Sequence, residues 1–122
     1  MSGQSSALLG RWGEAAVADW LRRRGHTILA ASYRCRFGEL DLISTDGTYL
    51  CFVEVKLRRC GRFAAAREAV DARKQKRLRL TAEHYLSYYP SPLQPRFDVA
   101  EVYAPQGTAT KRPVINYMEN AF

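Results

Sequence analysis

The stretch Gly38-Glu39-Leu40-Asp41-Leu42-Ile43, followed after a short turn by Phe52-Val53-Glu54-Val55-Lys56, decides the reading of this chain. Glu, Asp and Lys are depleted in strand interiors. Here they interrupt two strongly apolar runs that one hairpin brings together. Thr45-Asp46-Gly47-Thr48 separates the runs, and Asp-Gly between apolar segments is the strongest short-range hairpin signal. With Asp46-Gly47 as a two-residue turn, Thr45 pairs with Thr48, Ile43 with Leu50 and Asp41 with Phe52. Asp41 and Glu54 then become diagonal neighbours on one face, roughly 7–8 Å apart. Side chains alternate along a strand, so Lys56 shares the face of Glu54. A three-residue turn would separate the two acids, because a one-residue slip reverses every side chain.

Outward from this hairpin, Ser6 to Arg24 reads as a helix, with Ser5 or Ser6 as cap and Gly25 as stop. Thr27–Ala31 reads as a strand, as do Leu40–Ser44 and Tyr49–Leu57. Arg58 to Ala66 is basic and irregular and reads as a mobile loop. A second helix runs from about Asp71, its cap, to Tyr88 or Tyr89, stopped by Pro90. Arg96–Tyr103 and Val114–Met118 complete the strands. The order αβββαββ, with hairpins rather than only crossovers, specifies an α+β or mixed-sheet α/β domain.

The first helix contributes another acid. At 100° per residue Glu14 lies with Ala7, Gly10, Val17, Ala18 and Leu21, the face suited to packing on the sheet. A carboxylate within a packing stripe costs several kcal/mol unless paired, metal-bound or protonated. A buried salt bridge, with Lys56 as one candidate partner, competes with a site role. The second helix shows a stripe of Leu78, Ala82, Tyr85, Leu86 and Tyr89 that reaches Lys74 and Gln75 at its start. Arg73, Lys76, Arg77 and Arg79 lie over its outer sides, either docking phosphates or covering a solvated face.

Composition narrows the function classes. The 122 residues suit one domain, and a net charge of +7 favours an anionic partner, for which nucleic acid is the commonest candidate. No apolar run approaches the ~18 residues of a membrane span, and the polar start lacks signal-peptide features, so a cytoplasmic location is expected. Three cysteines without a CxxC spacing argue against a zinc site or a disulfide framework, and Cys51 reads as a core residue. Paired carboxylates on adjacent strands suit Mg²⁺ or Mn²⁺, whose hard ligands leave room for water and phosphate. A lysine two residues beyond the second acid can serve the attacking water. Asp41 and Glu54 are thus the candidate metal ligands, with Lys56 beside them. In Arg96-Phe97-Asp98-Val99 the apolar residues face the core, leaving Arg96 and Asp98 to flank the site or form a cross-strand ion pair.

The chain resembles the bacterial YraN family, which is placed distantly beside archaeal Holliday junction resolvases. The matching residues are Gly10-x-x-Gly13-Glu14-x-x-Val17-Ala18, Gly38 to Ile43, Phe52-Val53-Glu54-Val55-Lys56-x-Arg58, Val70-x-x-x-Lys74-Gln75, Arg96 to Val99 and Asn120-Ala121-Phe122. The resemblance implies a restriction-endonuclease-like core, with Asp41, Glu54 and Lys56 as the acidic pair and lysine. It also implies that Glu14 is the first-helix glutamate and Gln75 a polar residue trailing the site. Leu40 stands where the fuller nuclease motif has proline. The expected activity is Mg²⁺- or Mn²⁺-dependent cleavage of DNA rather than RNA, with branched DNA among the candidate substrates. Arg58, Arg59, Arg62, Lys74, Lys76 and Arg77 would grip phosphates. A symmetric dimer would suit a two-fold junction. The alternatives are a non-catalytic nucleic-acid-binding module of the same fold and a protein-interaction scaffold.

Overall fold

Parallel strands need a long crossover between them, and here that crossover carries the second helix. The structure is a computed structural model that describes residues 6–59 and 70–122. Its elements are α1 (Ser6–Arg23), β1 (Thr27–Cys35), β2 (Gly38–Thr45), β3 (Tyr49–Arg58), α2 (Ala72–Tyr88), β4 (Gln94–Tyr103), a 3-10 turn (Gly107–Ala109) and β5 (Val114–Met118). The strands form one mixed sheet in the order β1-β2-β3-β4-β5. Among these neighbours β3 and β4 pair in parallel, and the others are antiparallel. The expected order αβββαββ and the central sheet flanked by helices are what the chain adopts.

The helices cover opposite faces. On one, Val17, Ala18 and Leu21 of α1 pack against Leu42, Cys51, Val53, Ala100 and Val102. On the other, Leu78, Ala82 and Tyr85 of α2 pack against Leu40, Ile43, Leu50, Phe52 and Val99. Gly25, at φ +88°, ends α1 in the left-handed conformation that glycine adopts without strain. Asp71 caps α2 by accepting the Lys74 N–H at 2.9 Å. Cys51 is fully buried, as expected of a core thiol. Among the described residues no helix is long and apolar enough to cross a membrane.

Several local expectations are corrected. The β2–β3 connection is not a two-residue turn: Thr45 pairs with Leu50, Ser44 with Cys51 and Ile43 with Phe52. Asp46 accepts the N–H groups of Thr48 and Tyr49, each at 2.8 Å, and Thr45 Oγ1 donates to the Tyr49 carbonyl at 2.8 Å. These side-chain bonds stabilise a wider loop and displace the register by two residues. A two-residue displacement preserves the facing of every side chain. The first strand runs to Cys35 because its pairing with β2 continues to Cys35↔Gly38. Tyr89 lies outside the packing stripe, 59% exposed, since α2 ends at Tyr88. Of the expected mobile loop, Arg58 belongs to β3 and residues 60–66 lie outside the described residues, as does the Ser5 cap.

Arg96 and Asp98 do form an ion pair, but within one strand and not across strands. Arg96 Nε and Asp98 Oδ1 are 2.9 Å apart. Positions two apart share a face, and this face is crowded with partners. Tyr117 donates to Asp98 at 2.6 Å, the Asn120 N–H donates at 2.9 Å, and the Arg96 guanidinium lies over the Tyr49 ring. The Ala121 N–H donates to the Phe97 carbonyl at 2.7 Å and Phe122 packs on Phe97, so the network ties the last residues to β4.

Candidate active site

The β2–β3 ladder runs from Thr45↔Leu50 to Leu42↔Val53. Continued one step, that register sets Asp41 against Glu54 directly and not diagonally. The N–H of Val55 donates to Asp41 Oδ2 at 2.7 Å, so a side chain takes over where the backbone ladder ends. Leu40 and Ile43 pack on the α2 face while Leu42 packs on the α1 face, so β2 changes facing around Asp41. The Asp41 carboxylate consequently borders two cavities. One, of about 620 Å³, is lined by Phe37, Glu54, Lys56, Lys74, Arg77 and Thr81 among others. The other, toward α1, contains Arg11, Glu14, Ser32, Arg34 and Glu39.

Glu54 is buried, and Lys74 from α2 contacts its Oε2 directly. The Lys56 ammonium lies 3.7 Å from the same oxygen. Oε2 makes no hydrogen bond of proper geometry; what faces it is charge. Burial first, then the hydrogen bond to Glu54 and its charge, raise the Asp41 carboxyl to about 9. Burial acts on Glu54 in the same direction, but the Asp41 proton, Lys74 and Lys56 outweigh it and hold the carboxyl low. The two carboxyls are thus pushed in opposite directions, the result of placing like charges together out of water. Burial, with Lys74 beside it, lowers the Lys56 ammonium. Lys74 moves upward, because Glu54 and its neighbours overcome the burial penalty.

Glu14 comes to the α1 side of this arrangement. Ser32 donates to Glu14 Oε1 at 2.8 Å. The bond is local to a strained backbone, since Ser32 has φ +51°. Burial above all raises the Glu14 carboxyl, and Glu39 and Glu54 add to the shift. Its hydrogen-bond partner is Ser32 and not Lys56, so the alternative Glu14–Lys56 ion pair is not the one formed. Gly13 lets α1 approach: a Cβ there would meet Leu57 Cδ2 at 3.1 Å.

The remaining sequence-derived residues divide. Lys74 and Arg77 line the cavity, whereas Lys76 and Arg59 are exposed elsewhere. Gln75 does not line the cavity; its amide donates to the Val70 carbonyl at 3.0 Å, bracing the start of α2. Arg58 pairs with the fully buried Glu101 at 3.2 Å, and Arg62 lies outside the described residues. Glu101, which also accepts from Tyr103 and Asn116, is a residue that the sequence reading does not single out. The signal is present: a lone carboxylate inside the apolar run Val99–Tyr103 is the same anomaly that marks Glu54. The direct pairing of Lys74 with an acid is likewise absent from that reading.

Residues 13–102 match the model of the Uncharacterised protein family UPF0102. The chain belongs to the UPF0102 family. UPF0102 is the YraN family, so the resemblance read from the motifs holds. The UPF0102 protein of Pelotomaculum thermopropionicum is 42% identical over 116 residues, covering 94% of this chain and 95% of its own. That of Symbiobacterium thermophilum is 48% identical over 98 residues, covering 80% and 83%. That of Nocardia farcinica is 43% identical over 115 residues, covering 93% and 88%. Glu14, Asp41, Glu54, Lys56, Lys74 and Glu101 all fall within the UPF0102 match.

The donor set fits a hard divalent cation. Two carboxylates are neighbours, one with a buried oxygen that only lysine ammonium groups face, the other with its pKa raised because it is buried beside an anion. A cation between them would satisfy the first and ionise the second. Among the described residues no group of three or more His, Cys, Asp or Glu is gathered for a metal. Asp41 and Glu54 would therefore hold such an ion with help from water or substrate oxygens.

Proposed function

We propose that this chain is a Mg²⁺- or Mn²⁺-dependent nuclease acting on DNA. The observation that carries the reading is the meeting of Asp41 and Glu54 at the end of the β2–β3 ladder, with Lys56 3.7 Å from a Glu54 oxygen that lacks a hydrogen bond. When bound, the metal supplies Lewis acidity at the phosphoryl oxygen and a more acidic water. Asp41 and Glu54 would hold it. Lys56 would orient the attacking water at its Nζ and offset the negative charge that builds at the phosphoryl group; its lowered pKa favours proton exchange with that water. Glu14, fixed by Ser32, stands on the α1 side of Asp41, where it would supply a further contact to the metal or to water. Arg36, Arg77 and Lys74 line the cavity that would receive the phosphates.

A second reading is favoured by the Lys74–Glu54 contact, which neutralises one acid without a metal. It is a non-catalytic nucleic-acid-binding module whose acids serve structure. Incubating the protein with duplex, single-stranded and four-way-junction DNA, and with RNA, in Mn²⁺ separates the two. Cleavage abolished by Glu54→Ala and by Lys56→Ala supports the nuclease. Salt-sensitive binding without any cleavage supports the module, and equal cleavage by Asp41→Ala/Glu54→Ala exposes a contaminant.

A further inference from the structure

Lys74 holds its place by two attachments of different kinds. Its backbone N–H is fixed by the Asp71 cap at 2.9 Å, whereas its side chain reaches Glu54 by charge. The Glu54 oxygen it meets is buried and has no hydrogen bond of proper geometry. Structural ion pairs inside proteins are retained with their hydrogen bonds satisfied, since burial is otherwise costly. Here the buried Oε2 is met directly by Lys74 alone, with the Lys56 ammonium farther off at 3.7 Å, so the charge of Glu54 depends on one lysine that reaches it from the cavity side. The Lys74 side chain is 31% exposed and lines the same cavity as Arg77. Its flexible stem can swing without any movement of α2.

We propose that Lys74 is an exchangeable counter-ion, which holds Glu54 while no metal is bound and transfers to a substrate phosphate when a divalent cation takes that carboxylate. The inference rests on the metal-dependent nuclease reading. Once the cation displaces the Asp41 proton, the two carboxylates only balance the two lysines, and the dication itself leaves excess positive charge in a partly buried site. Repulsion then drives the more mobile lysine outward, toward an anion. Lys56 is the less mobile of the two: it rises from a strand, and its side chain is 23% exposed. Metal and nucleic acid therefore bind cooperatively, and each raises the affinity of the other by the same factor.

Mn²⁺ titration calorimetry tests the exchange, on the wild type and on Lys74→Met, Lys74→Arg and Glu54→Gln, without DNA. The titrations are repeated with a short duplex in a Lys56→Met background that prevents cleavage. Without DNA, Lys74→Met should bind Mn²⁺ about tenfold more tightly than the wild type, because a competing charge is gone. DNA should raise Mn²⁺ affinity about tenfold in the Lys56→Met parent and in its Lys74→Arg derivative, which both keep the cation. In the Lys74→Met derivative DNA should leave Mn²⁺ affinity unchanged. A merely structural lysine would alter the melting temperature but not this coupling. Equal or weaker Mn²⁺ binding by Lys74→Met, with Glu54→Gln abolishing binding, overturns the exchange while sparing the metal site. No Mn²⁺ binding that depends on Glu54 in any protein removes the metal site and the exchange together.

Discussion

Asp41 and Glu54 lie one step past the end of the β2–β3 ladder, and burial beside each other pushes the Asp41 carboxyl up while the lysines hold Glu54 down. The Val55 N–H at 2.7 Å fixes Asp41, and Lys74 and Lys56 hold Glu54 ionised. This asymmetry gives the site a characteristic pH response.

Asp41, raised to about 9 from an ordinary 3.8, binds a proton more tightly in the folded chain than in the unfolded one. Its contribution to stability is fully present below about 3.8 and is lost as pH rises toward about 9. Glu54, shifted downward, acts the other way: its contribution is present above its ordinary 4.5 and is lost as pH falls through its folded value. Denaturant unfolding of the metal-free protein between about pH 5 and 9 should show falling stability that Asp41→Asn flattens. Mn²⁺ should restore most stability at the alkaline end, because it replaces the proton.

Lys56→Ala should lower Mn²⁺-dependent cleavage by about 10²–10⁴-fold while duplex binding stays within a few-fold of the parent. Single-turnover assays beside a binding titration check this. A matching loss in both would reassign Lys56 to phosphate binding.

Ser32→Ala removes the hydrogen bond that positions Glu14. It should cost about 1 kcal/mol of stability and reduce cleavage about tenfold, with Glu14→Gln showing a loss of similar size. Combining the two substitutions should add little, since they act through one contact. Denaturant melts and cleavage rates of the three variants measure this.

Asp98→Ala strands a buried guanidinium and should destabilise the fold by about 3–5 kcal/mol. Arg96→Met with Asp98→Leu should recover much of that loss in a thermal melt. Neither change should alter Mn²⁺ affinity in protein that remains folded, because this network lies apart from the Asp41–Glu54 cavity.

Gly13→Ala puts a methyl 3.1 Å from Leu57 Cδ2, so the packed Leu57 side chain must give by a few tenths of an ångström, and the cost of about 1 kcal/mol is partly offset by the helix propensity of alanine. Glu14 adjoins that contact, so cleavage should fall with it. Leu57→Ala alongside Gly13→Ala should return activity.

The hairpin acids are legible because a charge inside an apolar strand is anomalous on sequence alone, and their shared facing survives the wrong turn length. The expected two-residue turn fails because Asp46 and Thr45 bond the backbone with their side chains, a choice that the dipeptide Asp-Gly does not announce. Glu14 is placed by helical periodicity, but Ser32 as its partner depends on a left-handed residue that no pattern marks. Lys74 and Gln75 are adjacent and look interchangeable in sequence. Which of them reaches the sheet is decided by the angle at which α2 docks, a tertiary property. Arg96 and Asp98 pair as their composition suggests, while the closing residues that bind them carry no such signal.

The residues of the site come from two parts of the chain that differ in how local their contacts are. Asp41, Glu54 and Lys56 lie on a meander of neighbouring strands, whereas Lys74 and Arg77 ride on the crossover to β4. Sequence-local contacts form sooner than distant ones. An emerging chain thus presents its carboxylate pair before the helix that neutralises it has docked. Arrival of α2 becomes an electrostatic capture step, which salt should slow. Stopped-flow refolding at rising ionic strength would time it.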